Sequence, residues 1–266
     1  MSERNKRLFK ETANLCLTNP KLLQRINISR YNQSYINENA ILDLGLTCTY
    51  YNEATVIVSK NKTIQAARGY YDYKRVAVLN FASFKNPGGG VENGANAQEE
   101  SLCMCSTLYD CISTDSMMSK FYYPHRNSKD KLYNNDIIYT PDVTVIRDDV
   151  DYKLLDERDW FHVDVLTCAA PNYGCVKNQV SHNELMDILV NRMRRIFSIA
   201  HRYRVEVLIL GAWGCGVFGN PPEVVAQAFD MVIKEFKQSF KVIEFAVYCG
   251  KDETNFNVFD KYIEHV

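Results

Sequence analysis

Apolar positions along the chain fall into two rhythms, one helical and one extended. Residues 3–29 carry apolar side chains at helical spacing and predict a helix broken near Asn19-Pro20, because proline lacks an N–H and disfavours helix in the residue before it. Short apolar runs at Thr55–Ser59, Arg75–Ser83, His162–Cys168, Val205–Gly211 and Val242–Cys249 predict strands, with another at Ile137–Ile146 interrupted at Pro141. The run RVAVLNFAS is almost continuously apolar, as in a strand covered on both faces. Helices are predicted at Thr63–Tyr71, at about Asn183–Tyr203 behind the capping pattern Ser181-x-x-Glu184, and from Pro221 to about Phe240. A further helix opens at Gln98-Glu99-Glu100 and carries Leu102 and Leu108, with Asn96 and Glu99 as a capping pair.

Strands alternating with helices predict an α/β domain with helices on both sides of a sheet. No repeat or linker divides the chain. It reads as one domain over 1–266, with a helical N-terminal extension (1–45) on an α/β core (46–266).

Composition narrows the function classes. With 46% hydrophobic and 24% charged residues the chain is globular, neither disordered nor coiled coil. Thirty-one Lys+Arg against 32 Asp+Glu give a net charge of −1, which argues against direct nucleic-acid binding. Nine cysteines, an odd number in a chain of this length, read as free thiols of a reducing compartment. No apolar run resembles a signal peptide or reaches the roughly 18 residues of a membrane span, so a cytoplasmic protein is expected. Cys103 and Cys105 diverge on a helix, and Asp148, Asp149 and Asp151 read as a solvated turn, so no metal is expected.

The chemistry concentrates in two glycine loops, each between a strand and a helix. In LILGAWGCGVFGNPPEVV, Gly211, Gly214, Gly216 and Gly219 let the backbone turn its amides toward an anion such as a diphosphate. Gly214-x-Gly216-x-x-Gly219 also matches a dinucleotide fingerprint formally, but it comes too late in the chain for a Rossmann domain. Cys215 reads as a small loop residue, with no histidine assignable to it. In the other loop, Gly88, Gly89 and Gly90 follow a buried strand and suggest backbone wrapping a ligand with no room for side chains. Gln98-Glu99-Glu100 then open a helix facing the same crevice. Adjacent carboxylates on one turn cannot easily flank a sugar; one could protonate a leaving oxygen while the other holds hydroxyls. A helix N-terminus favours the ionised form, so burial and the neighbouring carboxylate would have to raise one of the two pKa values.

Three glycines, seven residues and then QEE resemble the signature of poly(ADP-ribose) glycohydrolases of the macrodomain superfamily. VLNFAS, ESL, FYYPHR, IYTPDVTVIRDD, TCAAPN and GAWGCGVFGNPP are similar, in that order, to the bacterial-type branch, from about Val76 to Gly250. The resemblance implies a macrodomain-like mixed central sheet flanked by helices, with ADP-ribose at its rim. It implies hydrolysis of ribose–ribose O-glycosidic bonds through an oxocarbenium-like state, with Glu100 as general acid/base and Glu99 on the terminal ribose. By the same resemblance Gln98 orders the catalytic loop Gly88, Gly89 and Gly90, and Asn86 reaches the ribose. Gly214, Cys215, Gly216 and Val217 match the diphosphate loop, with Phe218 packed on the ribose. No cofactor is implied; the partner is poly(ADP-ribose) on modified targets, and a monomer is expected. The rival readings are a hydrolase of single ADP-ribose units on protein or nucleic acid, and a non-catalytic ADP-ribose reader. Val91-Glu92 stand where a larger apolar side chain is expected.

Overall fold

The N-terminal helix breaks where proline requires it, into α1 (Glu3–Thr18) and α2 (Pro20–Asn32), with the Asn19 side chain accepting from the N–H groups of Lys21 and Leu22. Then come β1 (Ser34–Ile36), β2 (Thr55–Ser59), α3 (Thr63–Arg68), β3 (Val76–Phe81), α4 (Gln98–Cys105), α5 (Leu108–Ile112), α6 (Asp115–Met117) and α7 (Tyr123–Asn127). The second half adds β4 (Ile137–Val145), β5 (Phe161–Cys168), α8 (His182–Arg202), β6 (Val207–Leu210), α9 (Pro222–Phe236), β7 (Val242–Ala246) and α10 (Thr254–Tyr262). This computed structural model describes residues 2–42 and 48–264; the expected boundary between residues 45 and 46 lies outside them.

The seven strands form one mixed sheet in the order β1-β4-β5-β3-β6-β7-β2. Strands β5, β3, β6, β7 and β2 run parallel, while β1 and β4 add antiparallel pairings at one edge. The central strand explains its own composition. Val76 and Val78 pack toward α1 and α4, whereas Ala77 and Leu79 pack toward α8 and α9, so both faces of β3 are buried.

Four sequence expectations need correction. Residues 34–36, read as part of a helical extension, form an edge strand of the main sheet. Pro141 does not interrupt β4; it sits in a bulge between Thr140 and Val143, where a missing N–H breaks no ladder bond. The α4 helix stops at Cys105 because that residue's carbonyl accepts from Ile146 and Arg147, and Leu108 begins α5. The α9 helix ends at Phe236, short of Phe240.

The parallel strands deliver their loops to one rim, after Phe81, Cys168, Leu210 and Ala246. A buried arginine ties part of that rim together. Arg192 of α8, 1% exposed, donates to the carbonyls of Ala169 and Leu132 and to Asn135 Oδ1, at 2.9 to 3.0 Å. It has no ion-pair partner among the described residues, so its charge rests on oriented dipoles. Arg192→Leu removes all three donated bonds and is expected to cost about 3 kcal/mol in urea unfolding.

Candidate active site

Beyond the carboxyl ends of the parallel strands lies a cavity of about 370 Å³, the position expected for a ligand in such a sheet. Phe81, Ala170, Ala212 and Ala246 line it at the strand ends, and Trp213 closes its floor with its indole N–H on Cys168 O at 3.1 Å. Of the predicted residues, Gln98, Gly214, Gly216, Val217 and Phe218 lie on its wall; Asn86, Gly88, Gly89, Gly90, Glu99, Glu100 and Cys215 do not.

The carboxylates sit behind that wall. Glu99 and Glu100 are 3% and 7% exposed. Glu99 Oε2 accepts from Ser83 N at 2.6 Å and Oε1 from Asn80 Nδ2 at 3.3 Å. Glu100 Oε1 accepts from Gly90 N at 2.8 Å and Oε2 from Ala97 N at 3.0 Å. Glu100, not Glu99, therefore reaches back to cap α4, and the expected Asn96–Glu99 pair does not form; Asn96 Oδ1 accepts from Tyr152 instead. Gln98 fastens the helix to β3, donating to Leu79 O at 2.8 Å and accepting from Phe81 N at 2.9 Å. A second bond runs from its amide to Thr63 Oγ1 at 3.1 Å.

The tripled glycine has a more immediate reason than a ligand. Gly89 has φ +61°, and a Cβ there would lie 2.5 Å from Glu100 Oε1 and 3.1 Å from Glu99 Oε2. The loop is thus bare because it closes over the two carboxyls, which converge on one point. Gly88, at φ +67°, is crowded by Tyr109, Val91 and Cys103. Val91 packs inward, 1% exposed, and Glu92 accepts from Tyr109.

Burial dominates the electrostatics of Glu99 and pushes its carboxyl up to about 8; the charge of Glu100 adds to the rise, and the bonds from Ser83 and Asn80 oppose it. Glu99 therefore keeps its proton at neutral pH. Asn80, fully buried, leaves Oδ1 without a partner, so turning its amide would let it accept from that proton.

The second loop presents its backbone. Gly214 (φ +77°) turns where a Cβ would strike Asn220 and Ala170, and Asn220 Nδ2 donates to Gly214 O and Pro171 O at 2.9 and 2.8 Å. The N–H groups of Gly214, Gly216, Val217 and Phe218 donate to no protein acceptor among the described residues. Such a run of open amides on a cavity wall is an anion nest. Val217 is 92% exposed at the rim. Cys215 packs against the core, and burial pushes its thiol up to about 12, which removes it as a nucleophile.

The far wall was missed by sequence reasoning. Asp149, read as part of a solvated turn, is 2% exposed and accepts from Ile64 N and Gln65 N at the start of α3. Lys62 donates to Asp149 O at 2.6 Å, with its ammonium 5.3 and 5.0 Å from the rings of Tyr152 and Tyr248. Only Tyr152 at φ +64° marks the turn as special, and a dihedral leaves little trace in sequence.

Residues 5–148 match the family described as microbial-type PARG, catalytic domain. No curated protein matches the chain in sequence. Among solved structures it is similar to poly(ADP-ribose) glycohydrolase from Thermomonospora curvata, at TM-score 0.89 and 28% identity over 98% of this chain and 100% of that one. The same protein bound to the inhibitor ADP-HPD matches at TM-score 0.87 and 29% identity, covering 98% and 99%. The Deinococcus radiodurans glycohydrolase in complex with ADP-ribose matches at TM-score 0.81 and 32% identity, covering 90% and 97%.

The raised Glu99 carboxyl sets a pH-dependent stability. Between its ordinary value of 4.5 and about 8 the unfolded chain releases a proton that the folded chain keeps, so stability falls with rising pH across that window. Glu99→Gln removes the loss: its melting temperature is expected to match the parent's near pH 4 and exceed it by pH 8, by the equivalent of about 4 kcal/mol.

Proposed function

The chain belongs to the microbial-type poly(ADP-ribose) glycohydrolase family, and from that premise we propose how its residues carry out hydrolysis of the ribose–ribose bond. The enzyme is a hydrolase that releases ADP-ribose from poly(ADP-ribose). The observation that carries our reading is the convergence of the two α4 carboxyls under Gly89, beside a cavity whose wall offers open amides.

ADP-ribose lies along the cavity, its diphosphate on the N–H groups of Gly214, Gly216, Val217 and Phe218, where the charge needs no metal. Phe218 packs on the ribose next to the scissile bond. The base takes the far wall, where Tyr152, Tyr248 and Lys62 offer aromatic surface and a cation. Glu99, protonated, has both a donor and an acceptor for ribose hydroxyls. The pair carries one proton, resting on Glu99; once Glu100 has left its Gly90 donor the proton passes to it, and Glu100 gives it to the leaving ribose oxygen as the anomeric C–O bond breaks. The oxocarbenium-like centre is then attacked by a water that Glu100 deprotonates, which restores the carboxyl and consumes one water per ADP-ribose.

To reach the bond, Glu100 has to exchange its link to Gly90 for substrate, and a glycine loop can yield at that point. Gln98 keeps α4 seated on β3 meanwhile, and Asn86 stands at the outer end of the loop. The nine cysteines are all free, which supports a reducing, cytoplasmic setting. Among the described residues no helix is long and apolar enough to cross a membrane. We take the working unit to be a single chain.

Purified protein and its Glu100→Gln variant, each given poly(ADP-ribose) and singly modified protein, test the assignment. The variant is expected to lose on the order of 10²- to 10⁴-fold in polymer release while still binding ADP-ribose. Release by the parent from singly modified protein alone would transfer the assignment to a single-unit hydrolase. Binding without turnover of either would leave a reader. Gly89→Ala, which drives a methyl into both carboxyls, is expected to reduce kcat by at least about a hundredfold with a smaller stability cost.

A further inference from the structure

Residues 123–133 bridge the two loops of the site. At one end Arg126 donates from Nε to Lys85 O at 2.7 Å and from Nη2 to Asn86 Oδ1 at 3.1 Å, on the segment leading into Gly88. At the other, Lys131 O accepts from Asn172 N at 2.9 Å, and the Tyr133 ring packs between Phe84, at 4.6 Å, and Phe218, at 6.0 Å. This segment leads into β4 and meets the loop after β5, on one side of the central strand. Lys62 and Tyr248, with the far wall, follow β2 and β7 on the opposite side. The bridge therefore flanks the cavity at the end where the bond is cut.

Its chemistry differs from that of the molecule as a whole. Between residues 118 and 135 Lys120, Arg126, Lys129 and Lys131 face a single acid, Asp130, although the chain carries a net charge of −1. Lys85, Arg126 and Lys129 form no ion pair among the described residues. The Arg126 guanidinium lies 5.3 Å from the ring of Tyr123, which is 48% exposed. Charges left unpaired beside a held aromatic ring suit a ligand with both an anion and a flat base.

We propose that Lys85, Tyr123, Arg126 and Lys129 form a leaving-side subsite for the next ADP-ribose unit of the polymer, resting on the function proposed above. The fragment beyond the scissile bond begins with a ribose bearing a base, followed by a diphosphate. Tyr123 takes the base and the three cations take the diphosphate. The subsite favours polymer over substrates whose leaving group lacks these parts.

The test compares kcat/KM for poly(ADP-ribose) with that for an aryl glycoside of ADP-ribose, whose leaving phenol has neither base nor diphosphate. Lys129→Glu, Tyr123→Ala and Arg126→Ala are assayed at low and high salt. Each variant is expected to lower the polymer-to-aryl ratio, by about tenfold for Lys129→Glu at low salt and less at high salt. A ratio that stays within about twofold of the parent's in all three would overturn the subsite. Equal losses on both substrates would also overturn it, making Arg126 a support of the Asn86 loop. If the parent cleaves neither substrate, the functional reading fails and the subsite falls with it; a parent active on both with unaltered ratios sinks the subsite alone.

Discussion

Two carboxyl groups held next to each other out of water are a costly arrangement, and much of the site follows from how this chain tolerates it. Burial penalises each charge and their proximity adds repulsion. The protein answers in two ways. One group, Glu99, keeps its proton. The other, Glu100, is given two backbone donors, from Gly90 and Ala97. Backbone donors can come that close only where no side chain intervenes, so the acids and the glycines are two halves of one constraint.

The fold supplies the rest by placing rigid elements behind flexible ones. Gln98 joins α4 to β3 much as a neighbouring strand would, bonding the carbonyl of Leu79 and the amide of Phe81. The α4 helix is thereby registered to the central strand of the sheet, behind the glycine loop. Arg192 performs a similar service at the neighbouring loops, where one guanidinium meets carbonyls from two segments far apart in sequence.

The strands and long helices were legible because burial on one or two faces imposes a period on the sequence. The α4 acids and both glycine loops were legible too, since special backbone demands special residues. What escaped was set by partners distant in sequence. Asp149 looks like any acid in a turn, yet it is buried because α3, some 85 residues earlier, turns two free N–H groups toward it. Ser34–Ile36 is too short for a period to register, and becomes a strand only because β4 offers a free edge. Position in sequence also said that Glu99 and Glu100 face the crevice; that both lie behind its wall follows from how the glycine loop folds over them.

The small strand β1 has a consequence for the integrity of the chain. Strand β4 is nine residues long and almost wholly buried, and without a neighbour its outer edge would offer a template for pairing with another molecule. Three residues reached through α1 and α2 occupy part of that edge, and Gln33 adds a side-chain bond to Thr140. The leading helices thus act as a guard against self-association, and a version of this protein trimmed to its α/β core would present that edge as a sticky sheet.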